Sequence, residues 1–206
     1  MLLALPVTFF WATYEQQGNT IALWADEFTD RTINLLVWSG QIPVTWFQAF
    51  NPFMIWIFTP LITMLWAGQS KRNQEPSSLV KMALGCILLG LGFVVMIAAS
   101  QGIAPDTKRS LLWLVASTLV YTLGELYLSP IGLSFVTKVA PARAVSMMMG
   151  VWLATSFTGN FAAGYLGSFW SSMAKDRFFL MIAAVAGLAG VVVLMFVRPL
   201  RPILKN

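Results

Sequence analysis

Two glutamates lie inside long apolar stretches of this sequence, where a charged side chain is costly. Glu15 falls in the stretch from 2 to 24, and Glu125 falls in the stretch from 110 to 136. A charge at the centre of a bilayer costs at least ~2.5 kcal/mol on insertion scales. All thirteen Lys and Arg residues lie at the ends of apolar stretches or between them, so this chain supplies no cation at the depth of either glutamate.

The chemistry that suits such carboxylates is the reversible binding of a proton or a cation. Each glutamate holds a proton, binds a cationic ligand or pairs with a basic residue of another chain segment. Burial favours the neutral acid and a nearby cation favours the carboxylate, so a glutamate that alternates between these settings takes up and releases a proton. The alternative is a structural role, in which a neutral carboxylic acid is hydrogen-bonded between helices.

Polar residues recur at helical spacing around both glutamates. One helical side of the first stretch carries Thr8, Trp11, Glu15 and Asn19, and one side of the fourth carries Thr118, Thr122, Glu125 and Ser129. The fifth stretch offers Trp152, Ser156, Gly159 and Asn160, and the second offers Asn51 before Pro52. For each lone Ser or Thr, hydrogen bonding within or between helices is the ordinary explanation. Trp11 and Trp152 lie deeper than the usual interfacial tryptophan anchor.

Six apolar stretches must position these residues, and each is long enough to cross a bilayer as a helix of ~20 residues. They run over 2–24, 42–66, 79–99, 110–136, 144–169 and 178–197, within one transmembrane domain that covers 1–206. The chain is 58% hydrophobic and 10% charged, against roughly 25% charged residues in soluble domains. The stretches are continuously apolar and lack the alternating polarity of barrel strands. The predicted fold is therefore an all-α integral membrane protein of six transmembrane helices.

The Lys and Arg residues also predict the orientation, because they are enriched in cytoplasmic loops. An even number of helices places both termini on one side. That side carries eight of the thirteen: Lys71, Arg72, Lys81, Lys138, Arg143, Arg198, Arg201 and Lys205. We therefore expect a multi-pass protein of the cell (inner or plasma) membrane with both termini in the cytoplasm.

Several classes of function are excluded by what the sequence lacks. It contains no His, which removes Ser-His and Cys-His catalytic pairs and the zinc and haem sites that need His. An intramembrane hydrolase with a Ser-Lys pair would need a Lys at depth. The net charge of +5 follows from the basic ends of the apolar stretches and does not indicate nucleic acid. We expect no enzyme activity, no metal site and no nucleic-acid partner.

Four segments carry a specific resemblance to a transporter family. Residues 10–20 (FWATYEQQGNT) resemble the seventh helix of the proton-dependent oligopeptide transporters, the POT/PTR family of the major facilitator superfamily. Residues 46–52 (WFQAFNP), 124–134 (GELYLSPIGLS) and 148–152 (MMGVW, with Gly159 and Asn160 beyond) are similar to its eighth, tenth and eleventh helices. The matches occur in the right order and span nearly the whole chain.

The resemblance implies a fold, an activity and roles for particular residues. The fold would be the C-terminal six-helix half of such a transporter, built from two inverted three-helix repeats. The activity would be symport of di- and tripeptides with protons, which act as the coupling ion in place of any cofactor. Glu125 would hold the peptide amino terminus, Glu15 and Glu125 would take part in proton coupling, and the pocket would also be lined by Trp11, Asn51, Ser129 and Trp152.

The partners implied are small peptides, the lipid bilayer and an N-terminal six-helix half whose motifs this sequence lacks. Without that half we expect the chain to be inactive. Two alternatives remain open. The same fold carries another small solute, such as nitrate or a peptide-like drug, or the chain is a truncated, non-transporting membrane scaffold. The scaffold alternative predicts that Glu15 and Glu125 can be replaced by Gln without effect.

Overall fold

The computed structural model describes residues 3–34, 39–104 and 106–200. Its helices are α1 Ala4–Tyr14, α2 Thr20–Phe28, α3 Thr45–Gln48, α4 Phe50–Lys71, α5 Ser78–Ser100, α6 Leu112–Val139, α7 Val145–Gly167 and α8 Lys175–Leu200. A 3-10 turn joins α1 to α2, and Ala49 alone separates α3 from α4. The chain therefore makes six helical passes, which confirms the predicted all-α fold. The inverted relation between its two three-helix repeats stays a prediction.

Four segments are long and apolar enough to cross a membrane by length and composition. They are Thr45–Lys71, Ser78–Ser100, Leu112–Val139 and Lys175–Pro199. The first pass is interrupted, so neither α1 nor α2 is long enough to cross a membrane alone. Helix α7 is long enough, but its Gly, Ser, Thr and Asn residues lower its hydropathy. The ends of the helices also differ from the predicted stretches: α4 continues past residue 66 to Lys71, and α8 begins at Lys175 rather than at 178.

The first predicted stretch, 2–24, is not one continuous helix. A 3-10 turn spans Glu15–Gly18, and Asn19 adopts φ −115° and ψ −96° before α2 begins. Glycine and asparagine are poor residues for a helix interior and favour helix ends, which explains where the break lies. The structure therefore corrects the helical repeat predicted along this stretch, because Asn19 does not continue the helical face of Glu15.

The buried side chain of Gln16 bonds the backbone around this break. Its Nε2 donates to the carbonyl oxygens of Ala12, at 3.2 Å, and Ala163, at 3.0 Å. The Thr20 hydroxyl donates to Gln16 Oε1 at 2.8 Å. No water is at hand inside a bilayer, so a carbonyl freed by a break needs a partner from the protein. Gln16 provides one and also joins the break to α7.

Helix α5 lies at the centre of the bundle and packs against α6 and α8. Small residues allow the close approach: a Cβ added to Gly85 would lie 2.7 Å from the carbonyl oxygen of Gly124. The Ser117 hydroxyl of α6 donates to the carbonyl oxygen of Gly92 at 3.0 Å. Close packing of small residues and interhelical hydrogen bonds hold helices together in lipid, where apolar burial gives little advantage.

The polar loop predicted over 26–41 contains a short two-stranded sheet. Strand β1 Thr32–Asn34 pairs antiparallel with β2 Ser39–Gln41, and the connection between them lies outside the described residues. Before the hairpin, Arg31 forms an ion pair with Asp26 at 2.7 Å. The described parts of this loop are therefore structured and follow directly on the end of α2.

Helix α4 stands apart from the rest of the bundle and packs mainly against α6. Its exposed apolar side chains include Phe53, Trp56, Leu61 and Met64. Its far end is held by Trp66, whose ring centroid lies 4.0 Å from Lys81 Nζ, and Lys81 forms an ion pair with Glu75 at 2.6 Å. Helix α7 also has an apolar outer face, which carries Leu153, Phe157, Phe161 and Tyr165.

Candidate functional site

A cavity of about 590 Å³ brings both membrane glutamates to one place. Its walls come from the 3-10 turn with α2, from the start of α4 with α3, and from α6. The polar residues that line it are Tyr14, Glu15, Gln17, Gln48, Asn51, Thr118, Tyr121 and Glu125. Pockets for small molecules usually measure ~300–1,000 Å³ and combine apolar walls with a few polar groups. This cavity therefore suits a small solute in size and composition.

Asn51 forms the polar centre of the cavity. Its side chain is 3% exposed, and its Nδ2 lies 2.9 Å from the Tyr14 hydroxyl, 3.2 Å from Gln17 Oε1 and 3.0 Å from Glu125 Oε2. These contacts join the end of α1, the 3-10 turn, the start of α4 and the middle of α6.

Local sequence explains how each partner reaches this centre. Pro52 follows Asn51 in the first turn of α4, where a missing backbone N–H leaves no intrahelical bond unmade. The break after α1 changes the direction of the side chains, so Gln17 points into the cavity beside Tyr14. Glu125 lies in an unbroken part of α6, where Tyr121 one turn earlier lines the same cavity.

Glu15 lines the cavity at the break and is only partly buried. Ion pairs in the described ranges are Arg31 with Asp26 and Lys81 with Glu75, so neither membrane glutamate has a cationic partner there. The cavity therefore presents two acids that remain available to a proton or to a cationic group.

Three of the predicted pocket residues do not line this cavity. Trp11 packs across Gly159 of α7, and the Trp152 indole lies against Gly132 of α6. Ser129 is partly buried, one turn of α6 beyond Glu125. Glu15, Asn51 and Glu125 do come together, whereas the pocket roles of these three residues stay predictions.

Apart from Glu15, the polar face predicted along the first stretch meets α7 rather than the cavity. The Thr8 and Thr158 hydroxyls lie 3.2 Å apart, and the carbonyl oxygen of Thr8 would lie 3.0 Å from a Cβ on Gly159. Asn19 lies against Gly167 at the other end of α7. Interhelical packing and hydrogen bonding, the ordinary explanation for such polar residues, therefore account for much of this face.

Sequence reasoning missed four polar residues of the cavity: Tyr14, Gln17, Gln48 and Tyr121. Tyr14 and Gln17 flank Glu15, but the helical repeat drawn from Glu15 excluded both, because it assumed an unbroken helix. Tyr121 carried a usable signal, since it precedes Glu125 by one helical turn. Its ring meets the Tyr14 ring edge to face, with centroids 6.4 Å apart.

Comparisons with known proteins agree with this architecture. The family model PTR2, described as the POT family, matches residues 1–185. The peptide transporter YePEPT of Yersinia enterocolitica is 35% identical over 210 residues, which cover 100% of this chain and 40% of that protein. A di-/tripeptide transporter of Lactococcus lactis subsp. cremoris is 28% identical over 198 residues, covering 96% of this chain and 39% of that protein.

A solved structure is similar to this chain in both fold and sequence. The crystal structure of a POT family transporter in complex with a thioalcohol-conjugated peptide superposes with a TM-score of 0.84 at 29% identity, covering 96% of this chain and 40% of that one. The chain thus spans about 40% of the length of the curated relative that it matches at 35% identity. With a family match over most of its length and six helical passes, this multi-pass membrane chain belongs to the POT family.

Proposed function

We propose that this chain forms one half of a proton-coupled symporter for di- and tripeptides, and that its cavity binds the peptide amino terminus. The observation that carries the proposal is Glu125, an acid in a solute-sized cavity with hydrogen-bond partners but no cation in the described ranges. A peptide amino terminus is a cation of the right size. The relatives named as peptide transporters support the same substrate class.

Two acids in one cavity also support the coupling of peptide to protons. Glu125 would exchange a proton for the amino terminus, and Glu15, at the break beside α7, would take up a proton as the cavity changes its exposure. Asn51 contacts Glu125 directly, and Trp11, Ser129 and Trp152 would extend the pocket beyond the cavity described here. Protons are the coupling ion, and no cofactor is needed.

The other wall of the transport pathway would come from a further six-helix half. The relatives are about two and a half times longer than the region they share with this chain. The exposed apolar faces of α4 and α7 offer contact surfaces for lipid and for that half. The distribution of Lys and Arg supports a cell-membrane protein with cytoplasmic termini.

The two acids of the cavity argue against nitrate as the transported solute. Nitrate is an anion, and in the described ranges the cavity lining contains no Lys or Arg to receive it. A peptide-like drug with an amino group would fit the same chemistry as a peptide. The non-transporting scaffold makes the separate prediction that uptake never occurs.

Uptake into liposomes tests the proposal. A labelled dipeptide is offered under an inward proton gradient to this chain alone and to a full-length transporter that carries it as the C-terminal half. We expect uptake by the full-length protein, competition by unlabelled di- and tripeptides but not by nitrate, and no uptake by the chain alone. Competition by nitrate, or uptake that ignores the proton gradient, would contradict the proposal.

A further inference from the structure

A second cavity, of about 360 Å³, lies where three helices end, away from the cavity that holds Glu15 and Glu125. It is formed by the end of α2, the end of α5 with the turn that follows, and the start of α8. The residues that line the second cavity are different from those that line the first. Its polar lining includes Ser100, Lys175 and Asp176, and its apolar lining includes Phe28, Ile103 and Met173.

The position of the second cavity along the helices places it at the edge of the bilayer. The segments Ser78–Ser100 and Lys175–Pro199 are both long and apolar enough to cross a membrane, and the cavity lies where the first ends and the second begins. The Trp24 indole N–H donates to the Ser100 hydroxyl at 3.0 Å, just beneath the cavity. Tryptophan is enriched at this depth of a membrane protein. The second cavity is therefore level with the lipid headgroups.

Lys175 supplies a positive charge that a ligand can use. Among the described residues it forms no ion pair, and its Nζ lies 3.9 Å from the centroid of the Trp170 ring. The ammonium group carries three hydrogens, of which one is donated to the carbonyl oxygen of Trp170 at 2.7 Å. Two hydrogens remain for an anionic group, and the contacts with Trp170 hold the ammonium in place.

Asp176 supplies a negative charge beside Lys175. It is half-buried, lines the same cavity and likewise forms no ion pair within the described ranges. Neighbouring Cα atoms are ~3.8 Å apart, so both charges are within reach of one small headgroup. The second cavity therefore presents one positive group and one negative group on a mostly apolar surface, which is the pattern complementary to a zwitterionic lipid.

We propose that the second cavity binds the headgroup of a bilayer phospholipid that carries a primary amine, phosphatidylethanolamine. The lipid phosphate accepts hydrogen bonds from Lys175, and the lipid ammonium donates to Asp176. The acyl chains begin against Phe28, Ile103 and Met173. A glycerol headgroup brings no cation to Asp176, and a choline headgroup has no N–H to donate. The site does not depend on peptide transport, so it stands or falls separately from the proposed function.

Native mass spectrometry of this chain in detergent micelles tests the site. The probes are the dioctanoyl forms of phosphatidylethanolamine, phosphatidylglycerol and phosphatidylcholine, mixed in equal amounts. We expect the ethanolamine lipid to be bound about 3- to 5-fold more than either competitor, the size of effect that one partly exposed charge pair produces. An excess of dialanine should not displace it. Equal binding of the three lipids, or displacement by dialanine, would overturn the proposal.

Two variants assign the lipid preference to residues. Asp176→Asn keeps the shape of the side chain and removes its charge, so the ratio of ethanolamine to choline lipid should fall toward 1. Arg177→Gln is the matched control, because Arg177 is exposed and is the next residue in the chain but does not line the cavity. The ratio is measured within one sample, so the folded fraction cancels. An unchanged ratio in Asp176→Asn, or an equal change in Arg177→Gln, would contradict the proposed site.

A third variant tests the phosphate contact. Lys175→Met keeps the length of the side chain and removes its charge, so binding of all three lipids should fall about 3- to 5-fold relative to Arg177→Gln. A cooperative thermal transition in each sample shows that the compared proteins are folded. Undiminished lipid binding by folded Lys175→Met would overturn the proposal.

Discussion

At the scale of single residues, the cavity depends on how Asn51 is satisfied. It is nearly fully buried, and its two amide hydrogens are shared among the Tyr14 hydroxyl, Gln17 and Glu125. Buried polar groups are costly when they lose a partner, while the net gain from each bond is small. We therefore expect the loss of stability on replacing Asn51 to come mainly from the buried acceptors that lose their donor.

We predict that Asn51→Ala lowers the free energy of unfolding by about 1–3 kcal/mol, because it leaves buried acceptors without a donor. Thermal unfolding in detergent measures the change. Gln48→Ala is the matched control: Gln48 lines the same cavity but is exposed, so its loss should change stability by less than ~0.5 kcal/mol. Equal effects of the two substitutions would show that the Asn51 contacts contribute nothing specific.

Much of this residue-level detail could be read from the sequence. Glu15 and Glu125 stood out because acids are rare in apolar stretches, and Asn51 stood out beside Pro52 and within the family resemblance. Tyr14 and Gln17 could not be placed, because their direction depends on the turn at Glu15–Gly18, which no helical repeat anticipates. Only the structure shows that their side chains line the cavity and contact Asn51.

At the scale of helices, the fold is held by close backbone approach at the centre and by specific contacts at the edge. α5 and α6 meet through Gly85 and Gly124, where side chains would separate the backbones. α4 is joined to its neighbours near its two ends, by Asn51 and by the stacking of Lys81 on Trp66. The two kinds of contact respond differently to substitution and to pH.

We predict that Gly124→Ala destabilises the protein by about 1–3 kcal/mol, the usual cost of overpacking. The new Cβ would lie 2.7 Å from the carbonyl oxygen of Gly85 and 2.8 Å from the backbone nitrogen of Leu89, and neither can rotate away. Gly187→Ala is the control, since nothing lies within 4 Å of its added Cβ. In a helix interior that change should stabilise by roughly 0.5–1 kcal/mol. Thermal shifts of the same sign would contradict the predicted packing.

The ion pair at the far end of α4 predicts a dependence of stability on pH. The Lys81 hydrogen bond lowers the pKa of Glu75 below its ordinary value, with Ser70 and Lys138 acting in the same direction. A carboxyl whose pKa is lowered by folding contributes stability above its ordinary pKa of ~4.3, and this stability is lost as pH falls through the folded value.

Glu75→Gln should therefore reduce stability at pH 7 and have a smaller effect at pH 3. The difference at pH 7 should stay below ~1 kcal/mol, because the Glu75 side chain is 37% exposed and water screens the pair. Thermal unfolding of both proteins between pH 3 and pH 7 measures it. A stability difference between the two proteins that stays constant from pH 3 to pH 7 would show that the effect does not come from the charge of Glu75.

At the scale of the whole molecule, the chain is a bundle of six helical passes that belongs to the POT family. Its six helical passes were predictable, because long apolar stretches leave few other folds in lipid. The break in the first pass was not predictable from apolar composition, because it leaves two helices that are each too short to cross a membrane. Helix α7 is long enough, but it carries many small and polar residues at its contacts with other helices. The chain covers 40% of the Yersinia relative's length, and its α4 and α7 faces remain exposed. The proposed transport therefore has to be tested in a full-length transporter that carries this chain as one half.

The most direct test compares proton-driven uptake with peptide counterflow in liposomes, for the full-length transporter and its Glu15→Gln and Glu125→Gln variants. Counterflow exchanges peptide without net proton movement. We predict that Glu125→Gln abolishes both processes because the amino terminus loses its carboxylate, whereas Glu15→Gln abolishes uptake and keeps counterflow. Wild-type rates of proton-driven uptake in both variants would contradict the central claim that these two acids bind peptide and couple it to protons.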